Sequence, residues 1–211
     1  ILTPLPVRNV DELAAVAAAE AHRTSNSSTT FPISYADLKD YQARNDVFRS
    51  LAGYTFPRGV TWLDGDASQG MFTELVTGNY FSTLGLTPAR GRFFLPEEDS
   101  SPGAYAVAVM NHGTWQTRFG GSDDIIGKTL RLNNVVFTVI GVAPPKFIGV
   151  NAIMGPDLWI PAAMAEHLLP NQMRNTLSDR ASAVFLGVGR FKPGVTQVLA
   201  QANIATIASA L

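Results

Sequence analysis

The sequence contains no cysteine. A disulfide scaffold, a thiolate metal site and a cysteine nucleophile are therefore excluded together. Charge is scarce: Asp, Glu, Lys and Arg make up 16% of the 211 residues, and the formal net charge is −1. Without a basic excess there is no counterion release to drive binding to phosphate backbones, so a nucleic-acid partner is not expected. No run of about 18 consecutive apolar residues occurs, so no segment of it is expected to cross a bilayer. No basic n-region with a following apolar stretch opens the sequence, which begins at Ile1 rather than Met and ends at Leu211 inside an apolar helical pattern. The expectation is a piece cut from a longer polypeptide.

What is abundant is glycine, proline and apolar surface: 18 Gly, 13 Pro and 46% hydrophobic residues. A disordered tail has the opposite profile. Ile1 to Val10, with Pro4 and Pro6, reads as an extended entry segment. Leu13 to Ala21 suits a helix or a buried strand equally, and the Ser- and Thr-rich stretch from Arg23 to Thr30, with its chance glycosylation triplet Asn26-Ser27-Ser28, reads as a loop. Ser34 to Leu51 predicts a helix with Ser34 as N-cap, an apolar face of Tyr35, Leu38, Tyr41, Phe48 and Leu51, and Gly53 as its terminator. Tyr54 to Leu63 and Met71 to Val76 predict strands around the turn Asp64-Gly65-Asp66.

Two short helices share one design. Asn79 precedes Tyr80 to Leu84 and Gly85, and Asn111 precedes His112 to Phe119 and Gly120, so each is expected to have an Asn cap and a left-handed Gly stop. Tyr105 to Met110 predicts a buried strand. Thr129 to Val142 predicts a hairpin with a type I′ loop at Asn133-Asn134, placing Leu132 opposite Val135 and Leu130 opposite Phe137. Asp157 to Ile160 reads as a short strand, Met164 to Ser178 as irregular, and Ala183 to Phe191 as a strand. Thr196 to Leu211 predicts a helix with Val198, Ala202, Ala205 and Ala208 along one apolar face, widened by Leu199, Ile204, Ile207 and Leu211.

Candidate chemistry is thin. Gly121 to Thr129 superficially suggests a phosphate loop, but five residues separate Gly121 from Gly127 where four are required, and Asp123 and Asp124 repel an anion. It reads as a helix stop leading into a strand. His22, His112 and His167 have no spaced partners for a metal. Glu97, Glu98 and Asp99 lack the spacing of a calcium loop and read as a solvated acidic turn. No Gly-x-Ser-x-Gly elbow is present. No catalytic, cofactor-binding or metal-binding residue is therefore nominated, and no cofactor is expected.

The ordered set of glycine and aromatic modules carries a resemblance. The run from Glu74 through Thr77-Gly78-Asn79-Tyr80-Phe81 to Gly85, then Pro88-Ala89-Arg90-Gly91-Arg92-Phe93-Phe94, resembles the MacB-type periplasmic core domain of ABC transporter permeases. So do Trp115 to Gly121, Ile126 to Leu130, Val139 to Phe147, Asp157 to Pro161 and Gly189 to Thr196, and the opening Leu2 to Val7 is similar to the segment after a first membrane helix. The style is especially similar to duplicated orphan permeases of acidobacteria. The resemblance implies an α+β fold: a split βαβ porter-like subdomain at residues 1–60 and 183–211, the latter part cut short, with an inserted, mostly β subdomain at 61–182. It implies a non-catalytic extracytoplasmic domain of an efflux or mechanotransmission permease on the periplasmic face of the bacterial inner membrane. Implied partners are its own transmembrane helices, a second permease subunit or half, a cytoplasmic ATPase and a periplasmic adaptor protein. The alternative is a periplasmic binding module that captures a lipid, peptide or lipoprotein, which calls for a large apolar pocket.

Overall fold

In the computed structural model of the chain, residues 7–16, 31–151 and 154–211 are described. His22, the Arg23–Thr30 stretch and the second half of the Leu13–Ala21 segment lie outside them.

Helix α1 runs over Tyr35–Arg44. Ser34 caps it by accepting a 3.0 Å bond from the Asp37 amide, and Leu38 and Tyr41 are buried. The helix stops seven residues earlier than the periodicity predicts. Asn45 intervenes: its Nδ2 donates to the Tyr41 carbonyl at 2.8 Å and its Oδ1 accepts from the Phe48 amide at 2.8 Å. Phe48 and Leu51 then enter strand β3, Phe48–Thr55, which pairs with β11, Ala183–Phe191, from Phe48↔Phe191 to Thr55↔Phe185. A spacing of three residues fits either element, and the long ladder outweighs two more helical turns. Gly53, expected as a helix stop, lies mid-strand, where Leu38 of α1 occupies the space a Cβ would need.

Strand β1 (Leu13–Val16) and the two-residue β2 (Ile33–Ser34) add to β11. The strand option for Leu13 onward is thus the one realised. Strands β3 and β4 (Arg58–Asp64) are broken only at Phe56-Pro57, and both run along one edge of β5 (Ala67–Val76), with Tyr54 opposite Val76 and Arg58 opposite Thr73. The other edge of β5 takes β10 (Leu158–Pro161) in parallel. Next come β7 (Val107–Met110), β9 (Val135–Val142) and β8 (Thr129–Leu132), and β8 returns to β4 through Trp62↔Leu132. Six strands, β4-β5-β10-β7-β9-β8, therefore close on themselves. Strand β6 (Arg90–Gly91) attaches outside to β9.

Three cores fill this frame. The closed strands enclose Trp62, Met71, Met110, Leu132, Phe137 and Leu158 with Trp115 of α3, His112–Phe119. On one face of β3 and β11, α1 and α5 (Gln197–Ala208) cover Phe48, Leu51 and Phe185. On the opposite face, Ala52, Tyr54, Leu186 and Val188 meet α2, Tyr80–Leu84. The hairpin register is as expected, with Leu132↔Val135 and Leu130↔Phe137. Its loop is not type I′, however, because only Asn133 has positive φ, at 52°. Asn133 instead joins neighbours: its Oδ1 accepts from the Thr61 amide at 3.0 Å and its Nδ2 donates to the Leu168 carbonyl at 2.8 Å. Leu168 belongs to the short α4, Ala165–Leu168, within the stretch expected to be irregular.

Helix α5 exposes the face expected inside. Ala200 and Ile207 are buried, with Ile204 partly so, whereas Val198 is 76% exposed. Ala202, Ala205 and Ala208 are also exposed.

Candidate functional site: a buried polar junction

Several buried polar side chains, among them Glu74, Thr77, Asp99 and Arg190, lie where the β3–β11 layer meets the closed strands. Asn79 does not cap α2, contrary to expectation. Its Nδ2 donates to the Leu51 carbonyl at 2.9 Å and its Oδ1 accepts from Thr77 Oγ1 at 2.7 Å, so the amide bridges β3 to the end of β5. Asn111 does cap α3, accepting from the Gly113 amide at 2.7 Å. Gly85 and Gly120 both take the left-handed stop, at φ 69° and 63°.

The acidic turn is not solvated as expected. Glu97 is exposed, but Glu98 and Asp99 are buried. Asp99 Oδ2 accepts from the Gly78 amide at 3.0 Å and its Oδ1 from the Ala163 amide at 2.8 Å. It thereby ties the β5–α2 turn to the segment after β10. Burial raises its pKa above the usual carboxylate range, with both amide bonds opposing. Glu98 receives Arg92 on both oxygens, at 2.8 and 2.7 Å. That pairing holds its carboxyl below the ordinary range.

Arg190 on β11 is 4% exposed and makes the most connected contact of the junction. Its Nε donates to the Thr83 carbonyl of α2 at 2.7 Å, and its Nη2 donates to the Arg8 carbonyl at 2.8 Å. Its Nη1 lies 3.3 Å from both the Asn9 carbonyl and Glu12 Oε2. One planar fork thus joins the N-terminal arm, α2 and β11, a task suited to guanidinium geometry. Glu12 is held below its ordinary pKa first by the Asn9 side-chain amide, then by Arg190 and Arg49.

Glu74 on β5 is 1% exposed. Its Oε2 accepts from Trp159 Nε1 at 2.5 Å across the β5–β10 pair, and its Oε1 has no partner among the described residues. Burial pushes its pKa up to about 8. Above it lies a cavity-poor aromatic cluster in which Phe147 stacks on Trp159 at 5.3 Å and Phe81 meets Trp159 edge-on at 5.6 Å.

A shallow apolar cavity of about 170 Å³ lies between the arm and the sheet, lined by Val7, Val10, Leu13, Tyr54, Val150 and Val188 among others. Ligand sites for drug-sized molecules run to roughly 300–1,000 Å³. Among the described residues no group of three His, Asp or Glu side chains could hold a metal ion. His112 stands edge-on to Trp115 at 5.3 Å and His167 is exposed beside Gly103. In the Gly121–Thr129 stretch, Ser122 caps a short 3-10 turn, Asp123–Ile125, and Gly127 donates to the Val139 carbonyl at 2.8 Å. The amides of Gly121, Ser122, Asp124, Ile125 and Lys128 are taken up by the preceding helix and by local turns.

A model of the MacB-like periplasmic core domain matches residues 6–207 of the chain. The chain belongs to the MacB-like periplasmic core domain family. Curated relatives include the macrolide export ATP-binding/permease protein MacB of Escherichia coli K12 and that of Shigella flexneri, each 26% identical over 113 residues. Those residues are 52% of this chain and 17% of the relatives, so the chain matches about a sixth of their length. In fold it is similar to the periplasmic region of MacB from Actinobacillus actinomycetemcomitans, with a TM-score of 0.69 at 14% identity, covering 96% of this chain and 87% of that one. It is also similar to a domain of a putative permease from Porphyromonas gingivalis, with a TM-score of 0.61 at 14% identity over 85% and 71% of the two chains. The expected α+β class holds, with sheet predominating. As a MacB-like core domain the chain is a periplasmic part of an ABC permease of the inner membrane. No described helix is long and apolar enough to cross that membrane.

Sequence reasoning about this MacB-like domain missed Arg190, Glu74 and the bridging role of Asn79. The first two had a legible signal: each is a lone charged residue within a run that otherwise reads as a buried strand.

Proposed function

We propose that this domain is a non-catalytic coupling element, transmitting movement of permease membrane helices into periplasmic conformational change. The Arg190 fork is the observation that carries this reading. The arm at residues 8–12 and strand β11, which leads into α5, are gripped by one side chain, so displacement at either end of the chain pulls on the same layer. From β11 the ladder continues through β3 to β5, which is also a wall of the closed strands. Packed layers of this kind move by rigid shear or hinge displacement rather than by local yielding. The division into porter-like parts at 1–60 and 183–211 and an insert at 61–182 is part of the same proposal, although its first boundary falls within β4 and α2 of the insert packs on the β3–β11 layer. The partners in it are the flanking membrane helices, a second permease half, a cytoplasmic ATPase and a periplasmic adaptor. The MacB relatives are macrolide exporters by name, and efflux driven by the ATPase is the corresponding activity proposed for the whole permease.

Capture of a lipid, peptide or lipoprotein in an internal pocket has less support, because the apolar cavity is too small for such a ligand. No native cysteine of this chain competes with an introduced one. Single cysteines are placed at the exposed Asp66 and Gln201 in the full permease, and bismaleimide crosslinks between halves are measured with and without ATP. Nucleotide-dependent yields support coupling, and identical yields overturn it.

A further inference from the structure

Glu74 is not needed for the coupling just described, yet it places a carboxyl in the buried interior. We propose that Glu74 is a proton-operated latch: while its carboxyl is neutral the strap Phe147–Val150 lies closed over the aromatic cluster, and loss of the proton to solvent base admits water to Oε1 and releases the strap. The proposal does not depend on whether the permease moves.

The geometry is specific to this strap. Phe147 stacks on Trp159, the residue that donates to Glu74. Gly149 has φ 97°, and a Cβ there would sit 3.2 Å from Glu74 Oε2, so the strap backbone lies directly against the carboxyl. The Val150 amide donates to Tyr80 Oη at 3.2 Å. Glu74 itself has one satisfied oxygen and one buried oxygen without a partner among the described residues. A neutral carboxyl tolerates that position; an ionised one requires water or a cation on Oε1.

Among the described residues no cation acts on Glu74 from the surrounding elements. The titratable groups facing Glu74 are the phenols of Tyr54 on β3 and Tyr80 on α2, both raised by burial and by Glu74 itself. From β10 and the strap come Trp159, Phe147, Gly149 and Val150, all uncharged. The direction of the Glu74 shift, set by desolvation and only partly offset by the Trp159 bond, agrees with a carboxyl kept neutral in the closed state. Opening then releases a proton, and linkage makes it easier as pH rises.

The test is amide hydrogen exchange at Val150, the strap amide that donates to Tyr80, in the 211-residue chain, divided by the intrinsic base-catalysed rate. If opening requires loss of one proton, protection falls roughly tenfold per pH unit, hence about a hundredfold between pH 6 and 8, and levels off above that. Glu74→Gln should be flat across the same range. A flat wild-type profile, or an equal slope in Glu74→Gln, overturns the latch. Should Glu74→Gln fail to fold, Trp159→Phe removes the donor that favours the ionised form, so the break in the profile should move to higher pH. An unmoved break overturns the proposal.

Discussion

Replacing Arg190 by Met keeps the aliphatic stem and deletes the fork. The two short bonds lost, to Thr83 and Arg8 at 2.7 and 2.8 Å, are charge-assisted, and such bonds contribute roughly 1.5–3 kcal/mol each. The carbonyls left behind are partly enclosed, so the expected destabilisation is about 3–5 kcal/mol. For a domain of this size each kcal/mol moves the melting temperature by about 2–4 °C, giving a drop on the order of 10 °C by calorimetry or circular dichroism. Arg190→Lys keeps the charge but cannot reach three acceptors in one plane, and should recover only part of the loss. The control is Arg49→Met, which removes an exposed partner of the same Glu12, at 2.7 Å and 49% side-chain exposure; its effect should stay under about 1 kcal/mol. Limited proteolysis should show the arm at residues 7–16 becoming cleavable in Arg190→Met before the rest of the fold. If Arg190→Met matches Arg49→Met in melting temperature and the arm stays protected, the reasoning about the fork is wrong.

Glu74→Gln should change the stability profile with pH. The folded-state pKa is raised to about 8 from 4.5, so the associated stability is fully present below the unfolded value and is lost as pH rises towards 8. Urea melts should therefore show the variant gaining on wild type by a few kcal/mol across that window, and parallel curves would contradict it. Gly141→Ala should be among the most damaging single changes, because the added methyl meets the Arg92 backbone carbonyl rather than a movable side chain. A cost of at least about 2 kcal/mol is expected in chemical denaturation. Val198→Gln, on the outward face of α5, should alter stability by no more than about 0.5 kcal/mol in the same assay.

Local signals were legible wherever a short segment decides its own conformation. The Asn133-Asn134 register, the Asn111 cap and the glycine stops at 85 and 120 follow from neighbours a few residues apart. Misreadings arose where a distant partner decides. Phe48 and Leu51 carry helical spacing, but their ladder partners lie some 140 residues away on β11. Ala202 and Ala205 look like a buried stripe, yet which side of α5 faces the sheet is set by packing against α1 and β11 through Ala200 and Ile207. Asp99 reads as a surface charge because nothing local announces the Ala163 amide, whereas Glu98 had its partner Arg92 only six residues before it. The junction was therefore the least legible part: a guanidinium serving three segments is a property of the assembled layers.

Strand β4, held by β5 on one side and β8 on the other, has a consequence for life on a crowded membrane surface. The six strands around the Trp62 core each have two neighbours, though the first half of β5, Ala67 to Met71, is paired with β4 alone among the described residues. The outermost member of the remaining layer among the described residues is β1, four residues long. Strand exchange between copies concentrated side by side is thus limited to two short edges, β1 and the exposed end of the β4–β5 hairpin.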